Sequence, residues 1–450
     1  MKLYSENKDY KLFNGNMLDM LQVIEKDSID SIVCDPPYEL NFMGKGWDNA
    51  GVSFNAETWK QCYEVLKPGG YLLAFGGSRT YHRIAVAIED AGFEIRDTIM
   101  WLYGSGFPKS MNIGLAIDKK TGVESKVVGT GKSGVSSRAY QSEATTTAGG
   151  YEIKQAQNEW QGWGTALKPS FEPIIIARKP FKGSLVDNVI KNGVGGLNID
   201  ECRVGTEKVG GGTMPDLSYV GQEQKKNGNG HIMSFGQVSN APRIKCEEHI
   251  GRFPANTILT YDETDFEEVC GGFPNTKSTY NKDSKHETEI HRENADTLKY
   301  GYKTRIDSSS YNDSGSASRY FYCAKASKKD RDEGCDILND GLLRRMRPDK
   351  DDSNPTGLNK EGRFAPVVRK NTHPTVKPTD LMQYLVRLVT PNGGVVLDPF
   401  NGSGSTGKAV MYENKERNKN YKYIGIELTE EYLPIAKARI EYVCNQIENK

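Results

Sequence analysis

Strand–helix alternation appears at both ends of this 450-residue chain, and neither stretch holds enough strands for a complete sheet. At the N-terminal end, Tyr10 to Asn14 and Ile29 to Cys34 read as short strands, with helical spacing of Leu18, Leu21 and Ile24 between them. There follow a helix from Ala56 to Leu66, a turn at Lys67-Pro68-Gly69-Gly70 and the apolar strand Tyr71 to Phe75. A helix from Thr80 to Ala91, closed by Gly92, then leads into a strand from Phe93 to Trp101. At the C-terminal end, an amphipathic helix from Thr379 to Val389 precedes the strand Gly394 to Leu397, a helix opening at Gly407 and the strand Tyr423 to Ile426. Near-continuous apolar strands alternating with helices predict an α/β fold with a largely parallel sheet covered on both faces. The economical solution is one sheet drawn from both ends of the chain.

The middle is different. Residues 121–150, 205–241 and 277–318 are rich in Gly, Ser, Asn and Thr with little periodicity, and read as loops of a large irregular insert. Strands are expected at Phe171 to Arg178, Asn256 to Thr260 and Arg319 to Cys323.

Two strand ends carry chemistry. After Ile29 to Cys34 comes Asp35-Pro36-Pro37-Tyr38: an acid, two stiffening prolines and an aromatic ring. The acid and the Pro36 carbonyl can hold the two hydrogens of an exocyclic amine while the Tyr38 ring stacks on its base. The bland alternative is a rigid turn without chemistry. After the strand Val395-Val396-Leu397 comes Asp398-Pro399-Phe400-Asn401-Gly402-Ser403-Gly404-Ser405-Thr406-Gly407. Glycines at a strand–helix junction let backbone N–H groups approach a ligand at the carboxyl edge of the sheet. Gly402, Gly407 and Lys408 nearly spell a nucleotide-binding P-loop, but Ala409 stands where a magnesium-binding hydroxyl is needed. Asp398 would repel phosphates and suits a cationic amino acid. Glu427, at the end of the next strand, is placed to accept hydrogen bonds from ribose hydroxyls. A glycine loop led by an acid, with a ribose acid beyond it, points to S-adenosylmethionine as the cofactor.

Composition excludes little. Lys plus Arg and Asp plus Glu number 59 each, so no global charge draws the chain to a polyanion, although a local basic groove fits within a neutral total. No stretch approaches the roughly 20 apolar residues of a membrane span, and the N-terminus has no apolar signal-type core. The eight cysteines form no CxxC pairs and read as reduced thiols of a cytoplasmic protein. Cys246 and His249, with Cys202 or Cys270, have irregular spacing for zinc, and no metal is expected.

Taken together, these residues resemble the permuted β-class amino-methyltransferases of DNA, the N6-adenine and N4-cytosine enzymes. Asp35 to Tyr38 matches that family's catalytic tetrapeptide, Asp398 to Gly407 its cofactor loop, and His373-Pro374-Thr375-Val376-Lys377-Pro378 the stretch leading to it. Leu66-Lys67-Pro68-Gly69-Gly70-Tyr71-Leu72 resembles the turn and strand after the catalytic segment. The flanks of the middle resemble methyltransferases common in bacteriophage genomes. The resemblance implies a circularly permuted Rossmann-like sheet, with a catalytic part at 1–118, a target-recognition insert at 119–365 and a cofactor-binding part at 366–450. It implies methyl transfer from S-adenosylmethionine to the exocyclic amine of a base flipped out of double-stranded DNA.

The catalytic residues are then Asp35, Pro36, Pro37 and Tyr38. Cofactor contacts fall to Asn16, Asp35, Lys377, Thr379, Asp398 and Phe400, then to Gly402, Ser403, Gly404, Thr406 and Glu427. Asn16 replaces the acid usual in the family near the cofactor's adenine. Asp at the first motif position favours N6 of adenine; N4 of cytosine, an RNA substrate, a protein amide and a catalytically dead DNA-binding module are the alternatives. Two basic-aromatic groups are candidate DNA contacts: Arg319 to Lys325 with Lys328 and Lys329, and Trp160, Trp163 and Lys168. They read equally well as core aromatics with solvated lysines. The absence of a nuclease-like block favours a stand-alone enzyme, with or without a partner endonuclease, and a monomer or a homodimer fits.

Overall fold

The strand at Ile29–Cys34 is buried along its whole length, including Asp30 and Ser31, so its polar side chains need partners inside the protein. They find them across the chain. Asp30 Oδ1 takes the Lys67 ammonium at 2.6 Å, and its Oδ2 accepts the backbone N–H of Val395 at 2.8 Å. The Ser31 hydroxyl lies 2.8 Å from that of Thr390. Residues near position 30 are thus stitched to residues near position 395.

The computed structural model describes residues 2–40, 50–103, 110–131, 146–147, 150–210, 213–215, 243–245, 248–261, 275–277, 314–316, 321–325, 328–338, 341–343 and 367–448. One compact unit gathers Met1–Leu197, Asn256–Val269 and Cys323–Lys450; a second gathers Asn198–Ala255 and Cys270–Tyr322. The described strands of the second unit pair as short antiparallel ladders, such as Val204–Gly210 with Glu248–Arg252.

The first unit is built on a ten-stranded sheet. Its strands in chain order are Lys2–Glu6 (β1), Tyr10–Asn14 (β2), Ile29–Cys34 (β3), Leu66–Phe75 (β4) and Glu94–Tyr103 (β5). Phe171–Arg178 (β6), Thr257–Tyr261 (β7), Tyr322–Lys325 (β8), Val395–Asp398 (β9) and Lys422–Glu427 (β10) complete it. In space the order is β1-β2-β10-β9-β3-β4-β6-β5-β7-β8. Strands β2, β10, β9, β3 and β4 run parallel, and β6 is antiparallel to both its neighbours. This is the α/β sheet expected from the alternation, and β9 and β10 from the C-terminal end slot between β2 and β3 from the N-terminal end. Strands β6, β7 and β8 come from the span read as a target-recognition insert.

The Lys67–Gly70 turn is instead a bulge inside β4, because its backbone finds strand partners. Gly69 N–H donates to the Lys179 carbonyl and Lys179 N–H to that of Gly70, both at 2.9 Å. Gly69 sits at φ 87°, and a Cβ there would stand 2.1 Å from Asn188 Nδ2, so only glycine fits. The amphipathic helix Thr379–Val389 buries its polar face as well as its apolar one: all but Asp380 is buried. Its polar Arg387 forms a two-pronged ion pair with the fully buried Glu413 of the helix Ser405–Arg417, at 2.7 and 3.0 Å. Among the described residues no helix is long and apolar enough to cross a membrane.

Candidate active site

Parallel strands place their carboxyl ends along one edge, and here three adjacent strands each deliver an acid to it. Asp35 follows β3, Asp398 ends β9 and Glu427 ends β10. They line a single cavity of about 1070 Å³, which exceeds the range typical for a drug-sized ligand and has room for two partners side by side. Burial pushes the Asp398 carboxyl up to about 7, against hydrogen bonds from the Thr406 hydroxyl at 2.6 Å and the Phe400 N–H at 3.0 Å; the charges of Asp35 and Glu427 add to the rise. Burial also raises Glu427, opposed by N–H donors from Thr429 and Gly402 at 2.7 Å each.

The glycine loop wraps this acid edge. Gly402 and Gly404 adopt φ of 51° and 72°, and a Cβ on Gly402 would come within 2.9 Å of His373 Nε2. His373 therefore packs directly on the loop. Burial lowers its pKa to about 4, so the ring is neutral, with Nδ1 against the Thr375 carbonyl at 2.5 Å. Beneath the loop, the buried Arg439 donates to the Ser403 carbonyl and to the hydroxyls of Ser403 and Ser405 at 2.9–3.1 Å.

At the other end of the cavity the tetrapeptide is held rigidly. The Ser53 hydroxyl donates to the Pro37 carbonyl and the Thr80 hydroxyl to the Tyr38 carbonyl, at 2.7 and 2.8 Å. A Cβ at Gly77 would stand 3.1 Å from Tyr38 Cδ2, so the absence of a side chain there makes room for the ring. The Lys377 ammonium lies 2.6 Å from Asp35 Oδ2 and 3.4 Å from Glu172 Oε2, and donates to the Tyr38 oxygen at 3.2 Å. The Tyr38 hydroxyl donates to Glu172 at 2.7 Å. Burial alone would depress Lys377, but the two carboxylates outweigh it and hold its pKa above the ordinary lysine value. Burial, then Asp35 and Glu172, raises the Tyr38 phenol, which stays protonated. Asp35 Oδ1 is buried and has no hydrogen-bond partner among the described residues.

Most residues singled out in the sequence meet in this cavity. Asp35, Pro36, Pro37 and Tyr38 line one end; Asp398, Phe400, Gly402, Ser403, Thr406 and Glu427 line the other. Asn16 also lines it and caps the helix Met17–Leu21 by accepting the Leu18 N–H. Lys377 lines it as the counter-ion of Asp35. Two residues do not line it. Thr379 is drawn away because Asp330 accepts both its N–H and its hydroxyl, at 2.8 and 2.5 Å. Gly404 is the N-cap of the helix Ser405–Arg417 and packs against Ala436, 2.9 Å from where its Cβ would be.

The near-miss P-loop is resolved by burial. Lys408 has no exposed surface and pairs with Asp330 and Glu333 at 2.5 and 2.7 Å, outside the cavity lining. Among the candidate DNA contacts, Lys168 lines the cavity, while Trp160 and Trp163 are exposed and meet edge to face at 5.2 Å. Arg319 and Tyr320 lie outside the described residues, as do Cys246 and Cys270 of the zinc reading. Among the described residues no group of three His, Cys, Asp or Glu is arranged to hold a metal ion. Sequence reading missed Glu172 and Asp330. An acid in the otherwise apolar strand Phe171–Arg178 was the available signal for Glu172; Asp330 stands among charged residues and carries none.

Comparison with known proteins shows the family. A family model described as DNA methylase (N6_N4_Mtase) matches residues 29–201 and 215–438. The type II methyltransferase M.HindIII of Haemophilus influenzae is 24% identical over 42% of this chain and 64% of its own length. M.HpaI of Haemophilus parainfluenzae is 33% identical over 23% of this chain and 34% of its own. The chain thus spans under two thirds of the length of either relative. Among solved structures, the PvuII cytosine-N4-specific DNA methyltransferase aligns across the whole of this chain and 97% of its own, at 12% identity and a TM-score of 0.39. Matched by the family model over most of its length, the chain belongs to the N6/N4 DNA methylase family.

Proposed function

We propose that the protein is a site-specific DNA methyltransferase that uses S-adenosylmethionine to methylate the exocyclic amine of a flipped base, N6 of adenine foremost. The observation that carries this reading is Asp35 Oδ1, a buried acceptor without a donor among the described residues, in the same cavity as the acid-led glycine loop. An unsatisfied buried acceptor costs about 1–3 kcal/mol, which an arriving N–H donor relieves.

The residues present fit the methyl donor. Asp398 and Glu427 are buried acids whose raised pKa values fall when a cation or hydroxyl donors arrive, the complement of an ammonium-bearing amino acid and a ribose. Asn16, Phe400 and the loop from Gly402 to Thr406 would complete the cradle. When bound, the donor supplies an electrophilic methyl group on a sulfonium.

The exocyclic nitrogen of a base is a poor nucleophile because its lone pair is delocalised into the ring. Asp35 and the Pro36 carbonyl accept its two hydrogens and favour a pyramidal nitrogen with a localised lone pair. Positive charge developing on that nitrogen meets a carboxylate already in place, and Asp35 is positioned to take the proton it must lose. Tyr38, locked by Glu172 and Thr80, offers its ring as the platform for the base. Pro37 stiffens the loop. Trp160, Trp163 and Lys168 are proposed DNA contacts, and the permuted order is the proposed origin of the interleaved sheet.

Duplex DNA incubated with the protein and labelled S-adenosylmethionine should yield N6-methyladenine on nucleoside mass spectrometry. N4-methylcytosine would reassign the base, methylated RNA the polymer, and no product would overturn the reading. Asp35→Ala should abolish transfer, roughly 10²–10³-fold or more. Its fold should survive, since Lys377 keeps Glu172 as a counter-ion at 3.4 Å. Turnover retained by Asp35→Ala would refute the role of that acid.

A further inference from the structure

Glu172 is the second residue of the antiparallel strand β6, and methyl transfer as derived above assigns it no chemistry. Its side chain nevertheless organises the catalytic end of the cavity. Oε2 accepts the Tyr38 hydroxyl at 2.7 Å and lies 3.4 Å from the Lys377 ammonium; Oε1 lies 3.4 Å from the Tyr103 hydroxyl. Lys377 donates to the Tyr38 oxygen, which in turn donates to Glu172, so the hydrogen bonds run one way from ammonium to carboxylate. The same ammonium touches Asp35 Oδ2 at 2.6 Å. One buried cation stands between two acids, and among the described residues only one oxygen of Asp35 is taken.

Resting on the reading of Asp35 as the acceptor of the amine, we infer that Glu172 is a positioning residue: it fixes the Tyr38 ring through its hydroxyl and holds Lys377 between two carboxylates, leaving one Asp35 oxygen open to the target base. The physical reason is the donor count. Lys377 carries three N–H donors in a setting with little water, and its ring neighbours Tyr38, Phe75 and Trp101 lie 4.9–5.9 Å from the ammonium. Without Glu172, Asp35 becomes its sole anion among the described residues, and the ammonium is free to span both Asp35 oxygens. The Tyr38 hydroxyl would lose its acceptor at the same time and the ring its anchor.

The test compares the full-length wild type with Glu172→Gln, which keeps an acceptor oxygen but no charge, and Glu172→Ala, which keeps neither. Readouts are kcat against KM for duplex DNA, the pH profile of kcat, S-adenosylmethionine affinity by calorimetry, and the fluorescence of 2-aminopurine at the target position, which stacking on Tyr38 quenches. Glu172→Ala should lower kcat at least ~10-fold, leave donor affinity within about two-fold, and brighten 2-aminopurine. Its acid limb should move to lower pH, because one negative charge has left the surroundings of Lys377. Glu172→Gln should recover the quenching but keep the displaced acid limb. An active wild type whose two variants match it in kcat and acid limb overturns this inference alone. So does a loss of kcat that follows melting temperature with the limb unmoved. A wild type that methylates no nucleobase overturns the functional reading and this inference with it.

Discussion

Replacing Lys408 by methionine separates a structural lysine from a nucleotide-binding one. Lys408 is fully buried in the helix after the glycine loop, 2.5 Å from Asp330 Oδ1 and 2.7 Å from Glu333 Oε2. Lys408→Met fills similar space but strands two acids. Breaking a buried pair by removing one partner costs about 3–5 kcal/mol. Here the lower end applies. The acids retain 16% and 22% of their side-chain exposure, Arg439 stands 3.8 Å from Asp330, and Thr379 still donates to it. The expected loss of about 3 kcal/mol reduces the folded-to-unfolded ratio by roughly 10²-fold. Denaturant unfolding followed by the buried Trp59 and Trp101 should show it as a lower midpoint at unchanged slope. Adding Asp330→Asn and Glu333→Gln to the variant should restore most of the loss. The effect also has a pH signature. Burial pushes the Asp330 carboxyl up, but Lys408 and Thr379 outweigh it and hold its pKa below the ordinary value of 3.8. This contribution is therefore present above the unfolded pKa and lost as pH falls through the lower folded one, so wild type and variant should converge in acid. A midpoint within about 0.5 kcal/mol of wild type, with weakened nucleotide binding instead, would refute the reasoning.

Asp398 should show the opposite pH dependence: its folded pKa of about 7 lies above the ordinary 3.8, so its ionisation opposes folding as pH rises between the two, with a slope approaching ~1.4 kcal/mol per pH unit. Asp398→Asn should then raise the melting temperature of the ligand-free protein at pH 8, little at pH 4, and weaken S-adenosylmethionine binding measured by calorimetry; equal shifts at both pH values would contradict the burial argument. Asp30→Ala removes the acceptor of the half-buried Val395 N–H and the partner of Lys67, and should cost about 1–3 kcal/mol in denaturant unfolding. Faster hydrogen exchange should appear at Val395, and an unchanged exchange rate there would deny Asp30 its place in the seam.

Much of this architecture was legible because its signals are local. The strands Tyr10–Asn14, Ile29–Cys34 and Phe171–Arg178 were read to the residue, since apolar runs bounded by turns or acids leave little choice. The acids at three strand ends and the glycine loop between them carried the site. What escaped were features that depend on partners distant in sequence. Lys67–Gly70 has the composition of a turn, and only the backbone at Lys179 makes it a bulge. Thr379 looked like a ligand contact until Asp330 supplied both of its acceptors. Lys377 was read as a cofactor neighbour, and its ion pair with Asp35 spans more of the chain than any periodicity can register. Glu172 fell inside a strand whose residues were weighed for the sheet alone.

The interleaving of β9 and β10 between β2 and β3 also shapes how the protein is made. A ribosome releases β2 and β3 well before β9 and β10, so each lacks one of its two neighbouring strands until Val395 and Lys422 emerge. At about 5–20 residues per second, the wait from Cys34 to Val395 lasts roughly 20–70 seconds. Throughout it the nascent segment carries open strand edges, and the acid edge of the proposed active site is missing two of its three carboxylates. Nascent chains stalled before Val395 should be conspicuous clients for chaperones, and methyl-donor binding should arise only once the strand ending at Glu427 has emerged.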